Sequence, residues 1–139
     1  MKKSNPPSSY DSSKTICIVQ LNRFGDLLQT YQAAVQVKKY NPNITLKLIA
    51  RKQFASDLIF LLKKAFDKVI MLDLKSILYK NSIENKLPRC LSQINSFVNS
   101  VNDENITVCV NLSYSKTSNW LCGMINASYK LGPYYDLSS

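Results

Sequence analysis

Apolar and polar positions along the chain form strand patterns that each lead into a helix pattern. The first strand pattern is Ile16 to Val19, a short β-branched run typical of a strand buried on both faces. After the turn Asn22 to Gly25, apolar residues from Leu27 to Val37 recur at three-and-four spacing, which predicts an amphipathic helix that begins at Asp26. Ligands of such strand–turn–helix units bind at the carboxyl end of the strand. We therefore expect Arg23 and Asp26 at the mouth of a site.

The alternation of strand and helix patterns continues to the end of the chain. The later predicted strands are Ile44 to Ala50, Lys68 to Leu72, Ile106 to Leu112 and Tyr129 to Tyr135, and the later predicted helices are Phe54 to Phe66, Leu87 to Val101 and Ser118 to Ala127. Leu74 to Lys86 has the weakest pattern, which indicates a short helix and a polar loop. This order predicts an α/β fold with a parallel sheet of about five strands, helices on both faces and the strand order 3-2-1-4-5.

Length and composition fit one domain of this kind. The 139 residues are 45% hydrophobic, which suffices for a single core. Residues 1–14 are polar and rich in Pro and Ser, so we expect a flexible tail before a domain at residues 15–139. No apolar run reaches about 18 residues, and the polar start lacks the apolar segment of a secretory signal. The expected location is therefore cytoplasmic.

The residue types present restrict the chemistry. The chain has no histidine, and its four cysteines lack paired or metal-ligand spacing, which predicts buried thiols and no metal site. Acid–base work is left to carboxylates, lysines and tyrosines. Arg51 and Lys52 follow the second strand, where a dinucleotide site carries an acid, and Gly25 is the only glycine of the first turn. We therefore expect no NAD and no other cofactor.

The charge balance favours anionic partners. The chain carries 18 basic and 9 acidic residues, a net charge of +9. Such a surface attracts phosphorylated ligands, nucleic acid or an acidic membrane face, and a lysine-rich surface with no partner is the alternative. The basic residues are dispersed and are not interleaved with aromatic residues, which argues against nucleic acid. Peripheral contact with an acidic inner-membrane surface stays open.

A motif in the first turn resembles that of a known family. The run from Ile16 to Leu58 is similar to the opening of the heptosyltransferase-like glycosyltransferases (glycosyltransferase family nine), whose first strand ends in an Arg-x-Gly-Asp turn. The turn here is Arg23-Phe24-Gly25-Asp26. Later landmarks resemble those of the family in the same order: Arg51, Phe54, Asn111-Leu112, Lys116-Thr117-Ser118 and Leu131-Gly132. The resemblance extends from Ile16 to Tyr135.

This resemblance implies the N-terminal half of a GT-B fold, a Rossmann-like acceptor-binding domain. The family's second domain binds a nucleotide-activated sugar, which is transferred with inversion. In that scheme Asp26 would be the general base that takes the proton from the acceptor hydroxyl. Arg51 and Lys116 would hold anionic groups of a lipopolysaccharide-core-like or other surface glycan or glycolipid. The resemblance places further acceptor contacts at Arg23, Gly25, Asn111 and Ser113.

Several alternatives stay open at this point. The chain ends at Ser139 without a donor-binding domain, so we expect no transfer unless a separate donor-binding domain or chain is present. A fragment, a split half and a degenerate protein are equally compatible with the sequence. A non-enzymatic α/β module that binds an anionic ligand or a partner chain is the second hypothesis. In it, Asp26 only caps a helix and Lys116 is a solvated lysine. A flavodoxin-like phosphate binder is disfavoured, because no phosphate-binding loop follows the first strand.

Overall fold

The fold is a parallel sheet covered by helices on both faces. A computed structural model of the chain describes residues 14–74 and 87–136. The strands are β1 (Thr15–Gln20), β2 (Thr45–Arg51), β3 (Lys68–Leu72), β4 (Ile106–Asn111) and β5 (Ala127–Leu131). The helices are α1 (Phe24–Tyr40), α2 (Lys52–Ala55), α3 (Ile59–Leu62), α4 (Leu87–Asn102) and α5 (Lys116–Met124), with a 3₁₀ turn at Ser56–Leu58. Apart from Lys14 and Leu74, the predicted tail and the predicted polar loop lie outside the described residues.

The strands pair in the predicted order. The sheet is β3-β2-β1-β4-β5, and every pair of neighbours is parallel. The last four residues of β1 are buried, because two strands flank β1 and helices cover both faces. All strands end at the same edge of the sheet, which we call the carboxyl edge. It is formed by the ends of the strands at Gln20, Arg51, Leu72, Asn111 and Leu131.

Alternate residues of each strand face two separate hydrophobic layers. Ile18 of β1 packs into the layer beneath α1, α2 and α3, with Leu27, Leu48 and Leu62. Its neighbour Val19 faces the opposite side of the sheet. That second layer lies beneath α4 and α5 and is formed by Cys17, Val19, Ile49, Val98, Val101, Cys109, Leu121 and Ile125, among others. The two hydrophobic layers hold the strands in fixed positions, so the carboxyl edge of the sheet has a defined geometry.

Three of the four cysteines are buried thiols, as predicted, and the structure does not describe the side chain of Cys90. Cys17, Cys109 and Cys122 are almost fully enclosed and are not bonded in disulfides. Burial raises the pKa of Cys17 far above its ordinary value, which keeps this thiol protonated and unreactive. Within residues 14–74 and 87–136, no three His, Cys, Asp or Glu side chains lie close enough to hold a metal ion. No helix of that same part of the chain has the length and apolarity to cross a membrane.

Several predicted element boundaries were wrong. Helix α1 begins at Phe24 rather than Asp26, and α5 begins at Lys116 because Ser115 caps it. The helix predicted from Phe54 to Phe66 is divided into α2, the 3₁₀ turn and α3, and Leu58 leaves helical geometry at φ −110° and ψ 11°. Strand β5 begins at Ala127 and ends at Leu131, before a left-handed Gly132 and a proline that has no N–H for the ladder.

Ion pairs stabilise the edge opposite the carboxyl edge. Glu104 accepts hydrogen bonds from Lys47 of β2 and Lys68 of β3, and these bonds hold the pKa of Glu104 below its ordinary value. Asp67 accepts from Lys38 Nζ at 2.6 Å and from the Leu46 N–H at 2.8 Å. Burial alone would raise the pKa of Asp67, but these bonds lower it. These carboxylates are therefore structural and lie far from the carboxyl edge.

Candidate functional site

The first turn of α1 opens onto the carboxyl edge without a side-chain cap. Arg23 is the N-cap residue, with extended backbone angles, and its carbonyl accepts the Leu27 N–H at 3.1 Å. Neither Arg23 nor any other described side chain caps this helix end. The N–H groups of the first turn and the positive end of the helix dipole therefore face the edge. Such a helix end favours an anion.

Asp26 is the third residue of α1, so the interpretation of Asp26 as the helix cap was wrong. Its side chain is exposed and has no ion pair within the described residues. The backbone of Asp26 is held in position from within α1, because the buried Thr30 hydroxyl donates to the Asp26 carbonyl at 2.8 Å. Thr30 Oγ1 in turn accepts from Gln20 Nε2 at 3.2 Å, which ties α1 to the end of β1. A fixed backbone thus presents an accessible carboxylate at the edge.

Gly25 leaves open space beside Asp26. A Cβ built at this position would have no heavy atom within 4 Å, and the residue does not have the positive φ that requires glycine. Glycine within a helix costs about 0.5–1 kcal/mol relative to alanine. Packing and backbone geometry therefore give no reason for a glycine here. The space over the first turn is free for a group that approaches the backbone.

Arg51 is held beside this turn by aromatic contacts. Its Cζ lies 5.7 Å from the centroid of the Phe54 ring, and the Phe54 ring contacts Phe24 edge to face at 5.1 Å. Phe24 is the first residue of α1, so the contact places the end of β2 against the start of that helix. The Nε atom of Arg51 is buried and has no hydrogen-bond partner among the described residues. A buried N–H without an acceptor is costly, and an anionic oxygen would satisfy it.

Asn111 and Ser113, predicted to contact the acceptor, are used in a buried hydrogen-bond network. Ser113 Oγ accepts the Leu21 N–H at 2.6 Å, and Asn111 Oδ1 accepts the Ser113 N–H at 2.9 Å. Asn111 Nδ2 donates to Asn119 Oδ1 at 3.0 Å and to the Pro133 carbonyl at 2.7 Å. The polar atoms of the Asn111 side chain are thus all engaged within the protein. These bonds position the loops that follow β1 and β4.

Gly132 closes the same network. Its φ is +86°, and a Cβ at this position would lie 2.5 Å from the Asn111 carbonyl oxygen. Only glycine allows the chain to pass Asn111 so closely. Asn119 also accepts the Tyr135 N–H at 3.1 Å through its carbonyl. The segment after β5 is therefore bound to the end of β4.

Lys116 lies at the carboxyl edge, on the other side of β1 from Arg51. It is exposed and is the first residue of α5. Unlike α1, this helix end is capped, because Ser115 Oγ accepts the Ser118 N–H at 3.1 Å and Ser118 Oγ accepts the Ser115 N–H at 2.9 Å. The strand order places the α1 turn between Arg51 after β2 and Lys116 after β4. The predicted site residues therefore share one edge, with Asp26 between two cations.

The roles of some residues of this edge were missed by the sequence analysis. Gln20 and Thr30 are buried polar residues that fix Asp26 from below, and Phe24 links α1 to Arg51. Asn119 holds Asn111 in place. A polar residue at the end of an apolar strand was the available signal for Gln20. Phe24 lies in the Arg23-Phe24-Gly25-Asp26 motif and Thr30 follows it, but the contacts of Phe24, Thr30 and Asn119 join separate elements and have no signal in the local pattern.

Comparison with known proteins identifies the fold. No protein-family model and no curated protein sequence matches this chain. A solved structure of a family 9 glycosyl transferase from Veillonella parvula DSM 2008 matches with a TM-score of 0.69 and 17% identity, over 90% of this chain and 36% of that chain. The E. coli heptosyltransferase WaaC with ADP matches with a TM-score of 0.66 and 16% identity, over 83% of this chain and 34% of that chain.

A second structure of the E. coli heptosyltransferase, with ADP-2-deoxy-2-fluoro heptose, has a TM-score of 0.69 and 13% identity over 90% of this chain and 43% of that chain. The chain thus spans 34–43% of the length of these solved proteins. The roles of Asp26 and of the acceptor-binding residues stay predictions. The resemblance first noted at the Arg23-Phe24-Gly25-Asp26 turn is confirmed for the fold, and this chain has the α/β fold of one part of the family 9 glycosyltransferases and heptosyltransferases.

Proposed function

We propose that this chain is the acceptor-binding part of a heptosyltransferase-like inverting glycosyltransferase. The acceptor is an anionic surface glycan or glycolipid of the lipopolysaccharide-core type. One observation carries the proposal. The exposed Asp26 carboxylate lies in the uncapped first turn of α1, and Arg51, with its unpaired Nε, is held beside this turn through Phe54 and Phe24, in a domain with the fold of such enzymes. A proton acceptor and an anion-binding group are what this acceptor chemistry requires.

The reaction assigns Asp26 the role of general base. An acceptor hydroxyl above α1 attacks the anomeric carbon of the activated sugar and passes its proton to the carboxylate. The bond between that carbon and the phosphate oxygen breaks, and the nucleoside diphosphate leaves. In this proposal the nucleotide sugar is bound by a domain outside these 139 residues, which span 34–43% of the length of the solved transferases, and we expect no transfer by these residues alone. The fixed Asp26 backbone supports the role, since a general base acts only when it is held in position.

The cations of the edge hold the anionic groups of the acceptor. Arg51 offers its unpaired Nε, and Arg23 and the open N–H groups of α1 lie in the same turn. Lys116 provides a positive charge on the far side. Gly25 leaves room for the sugar to approach the backbone. With a net charge of +9, we place the protein on the cytoplasmic side, at the surface of an inner membrane that carries the acceptor.

The test joins this chain to a donor-binding domain of a family 9 glycosyltransferase and measures sugar transfer to a core glycolipid by mass spectrometry. We expect transfer by the assembly, none by this chain alone, and none by an assembly with Asp26→Asn. An amide cannot take the proton at neutral pH, although it preserves the shape of the side chain. Asp57→Asn is the matched control, because Asp57 is an exposed acid of the 3₁₀ turn. Full activity of the Asp26→Asn assembly would remove Asp26 from the mechanism.

A non-enzymatic anion-binding module is the second candidate, and the unpaired Arg51 Nε favours it, since an anion satisfies that atom without any proton transfer. The same variants separate the two functions. If the protein only binds anions, Asp26→Asn removes a negative charge and tightens the binding of a phosphorylated glycan. In the transferase, the same change abolishes transfer even where binding improves. Calorimetry with the glycan and the transfer assay together therefore distinguish the two.

A further inference from the structure

An apolar cavity lies between α4 and α5, on the sheet face opposite α1. Its volume is about 300 Å³. Its apolar wall includes Leu72, Leu74, Ile94, Phe97, Trp120 and Met124. Leu72 is the last residue of β3 and Leu74 follows it, and Trp120 lies at the middle of α5. The cavity is therefore close to the carboxyl edge, and no step of the proposed transfer uses it.

We propose that this cavity binds the acyl chain of an anionic glycolipid whose head group lies at the carboxyl edge. The inference rests on the proposed function for the identity of the glycolipid as the acceptor. It goes further by assigning the lipid part to a separate site. Three features of the molecule support it: the size of the cavity, the chemistry of its wall and the charge beside it.

The size of the cavity fits a single apolar chain. Leu72, Leu74 and Leu121 are at most 7% exposed, whereas Trp120 is 52% exposed, so the cavity has a buried floor and is open to solvent beside Trp120. About 300 Å³ holds about ten groups of the size of a water molecule. That capacity corresponds to an alkyl chain of about ten carbons.

The wall and its surroundings match an amphiphile. Asn95 and Thr117 are the polar residues among those that line the cavity. Lys116 is exposed and lies one helical turn before Trp120 on α5, so its charge is on the same side of the helix. An apolar chain in the cavity would thus leave an anionic head beside Lys116. The cavity binds the tail, and the cation binds the head.

The chain provides its own reporter for this site. Trp120 is the only tryptophan of the sequence, and it lines the cavity. We would titrate the isolated chain with octyl, decyl and dodecyl phosphate below their micelle concentrations and follow Trp120 fluorescence. Each buried methylene should tighten binding about fourfold, so decyl phosphate should bind about fifteenfold more tightly than octyl phosphate. The gain should stop once the chain is longer than the cavity.

Variants of α4 and α5 test the placement of tail and head. Ile94→Phe takes up part of the cavity and should weaken the binding of decyl phosphate, whereas Ser96→Phe on the exposed side of α4 should not. Lys116→Ala should weaken decyl phosphate about two- to fivefold and leave decanol unchanged. Lys52→Ala, an exposed lysine at the start of α2, is the matched control. Thermal unfolding of each variant checks that the fold is retained.

These titrations test the lipid site on the isolated chain, so they need no donor-binding domain. No saturable fluorescence change with any chain length, or equal binding by the Ile94→Phe variant, would overturn the lipid site and leave the transfer proposal untouched. Tighter binding of a phosphorylated decyl glycoside than of decanoate supports the glycolipid. Equal or tighter binding of decanoate would overturn the glycolipid in favour of a free fatty acid. Loss of transfer with intact lipid binding would contradict the proposed function alone.

Discussion

Gly25→Ala should make the protein more stable and less able to bind its acceptor. The added methyl group meets no heavy atom within 4 Å, and the backbone of Gly25 is helical. Alanine should therefore stabilise α1 by about 0.5–1 kcal/mol, because it restricts the unfolded chain without a clash in the folded one. If the open space receives the acceptor, the same methyl group should weaken acceptor binding.

The size of the effect can be stated as a melting temperature. Unfolding entropy is about 2.1 cal/mol/K per residue, which for 139 residues gives about 290 cal/mol/K. A gain of about 0.5–1 kcal/mol should then raise Tm by about 2–3 °C. Thermal unfolding by circular dichroism measures this shift. Calorimetry with a phosphorylated glycan, and transfer in the joined assembly, measure the loss of acceptor binding.

Three results would contradict this reasoning in different ways. A lower Tm would show that the space over Gly25 is needed by the folded chain. A higher Tm with unchanged acceptor binding would remove Gly25 from the site and leave the glycine without an explanation. A lower Tm together with weaker binding would be ordinary loss of structure. Only opposite changes in stability and binding support a glycine kept for a ligand.

Two further predictions concern stability. Gly132→Ala should lower Tm by about 3–7 °C, because φ is +86° and the new Cβ would approach the Asn111 carbonyl oxygen to 2.5 Å; an unchanged Tm would show that this turn can relax. Glu104→Gln should lower Tm by about 1–3 °C at pH 7. The pKa of Glu104 is depressed by Lys47 and Lys68, so its contribution is present above the unfolded pKa of about 4.3 and is lost as pH falls through the lower folded pKa. Scans of Tm against pH should therefore converge for the variant and the parent in acid; a constant difference would contradict the ion pairs.

The strand order could be predicted because it follows from local pattern and general rules. The run from Ile16 to Val19 is apolar at every position, which is typical of a strand with neighbours on both sides. β1 does lie at the centre, between β2 and β4. Parallel strands then bring Asp26, Arg51 and Lys116 to one edge by geometry alone. That part of the candidate site needed no knowledge of side-chain contacts.

The helix starts were harder to predict, because the capping signals here are atypical. Arg23 precedes α1 without a capping side chain, so the start of the helix was placed at Asp26, and the alternative in which Asp26 only caps the helix was left open. The cap of α5 pairs Ser115 with Ser118, whereas the usual capping signal has Glu or Gln three residues after the N-cap residue. The end of β5 was placed too late, although Gly132 and the proline after it are a common stop signal. These errors move the boundaries by a few residues and leave the topology intact.

The polar residues of the carboxyl edge divide into two groups that local sequence does not distinguish. Asn111 and Ser113 bond to partners inside the protein, and the Ser113 bond to Leu21 joins residues 92 positions apart. Asp26 and Arg51 keep polar atoms that no described residue satisfies. Arg51 Nε is the exception among the buried polar side-chain atoms of the described residues. This exception, rather than the presence of polar residues at the edge, is the reason for which we propose Arg51 as a contact of the acceptor.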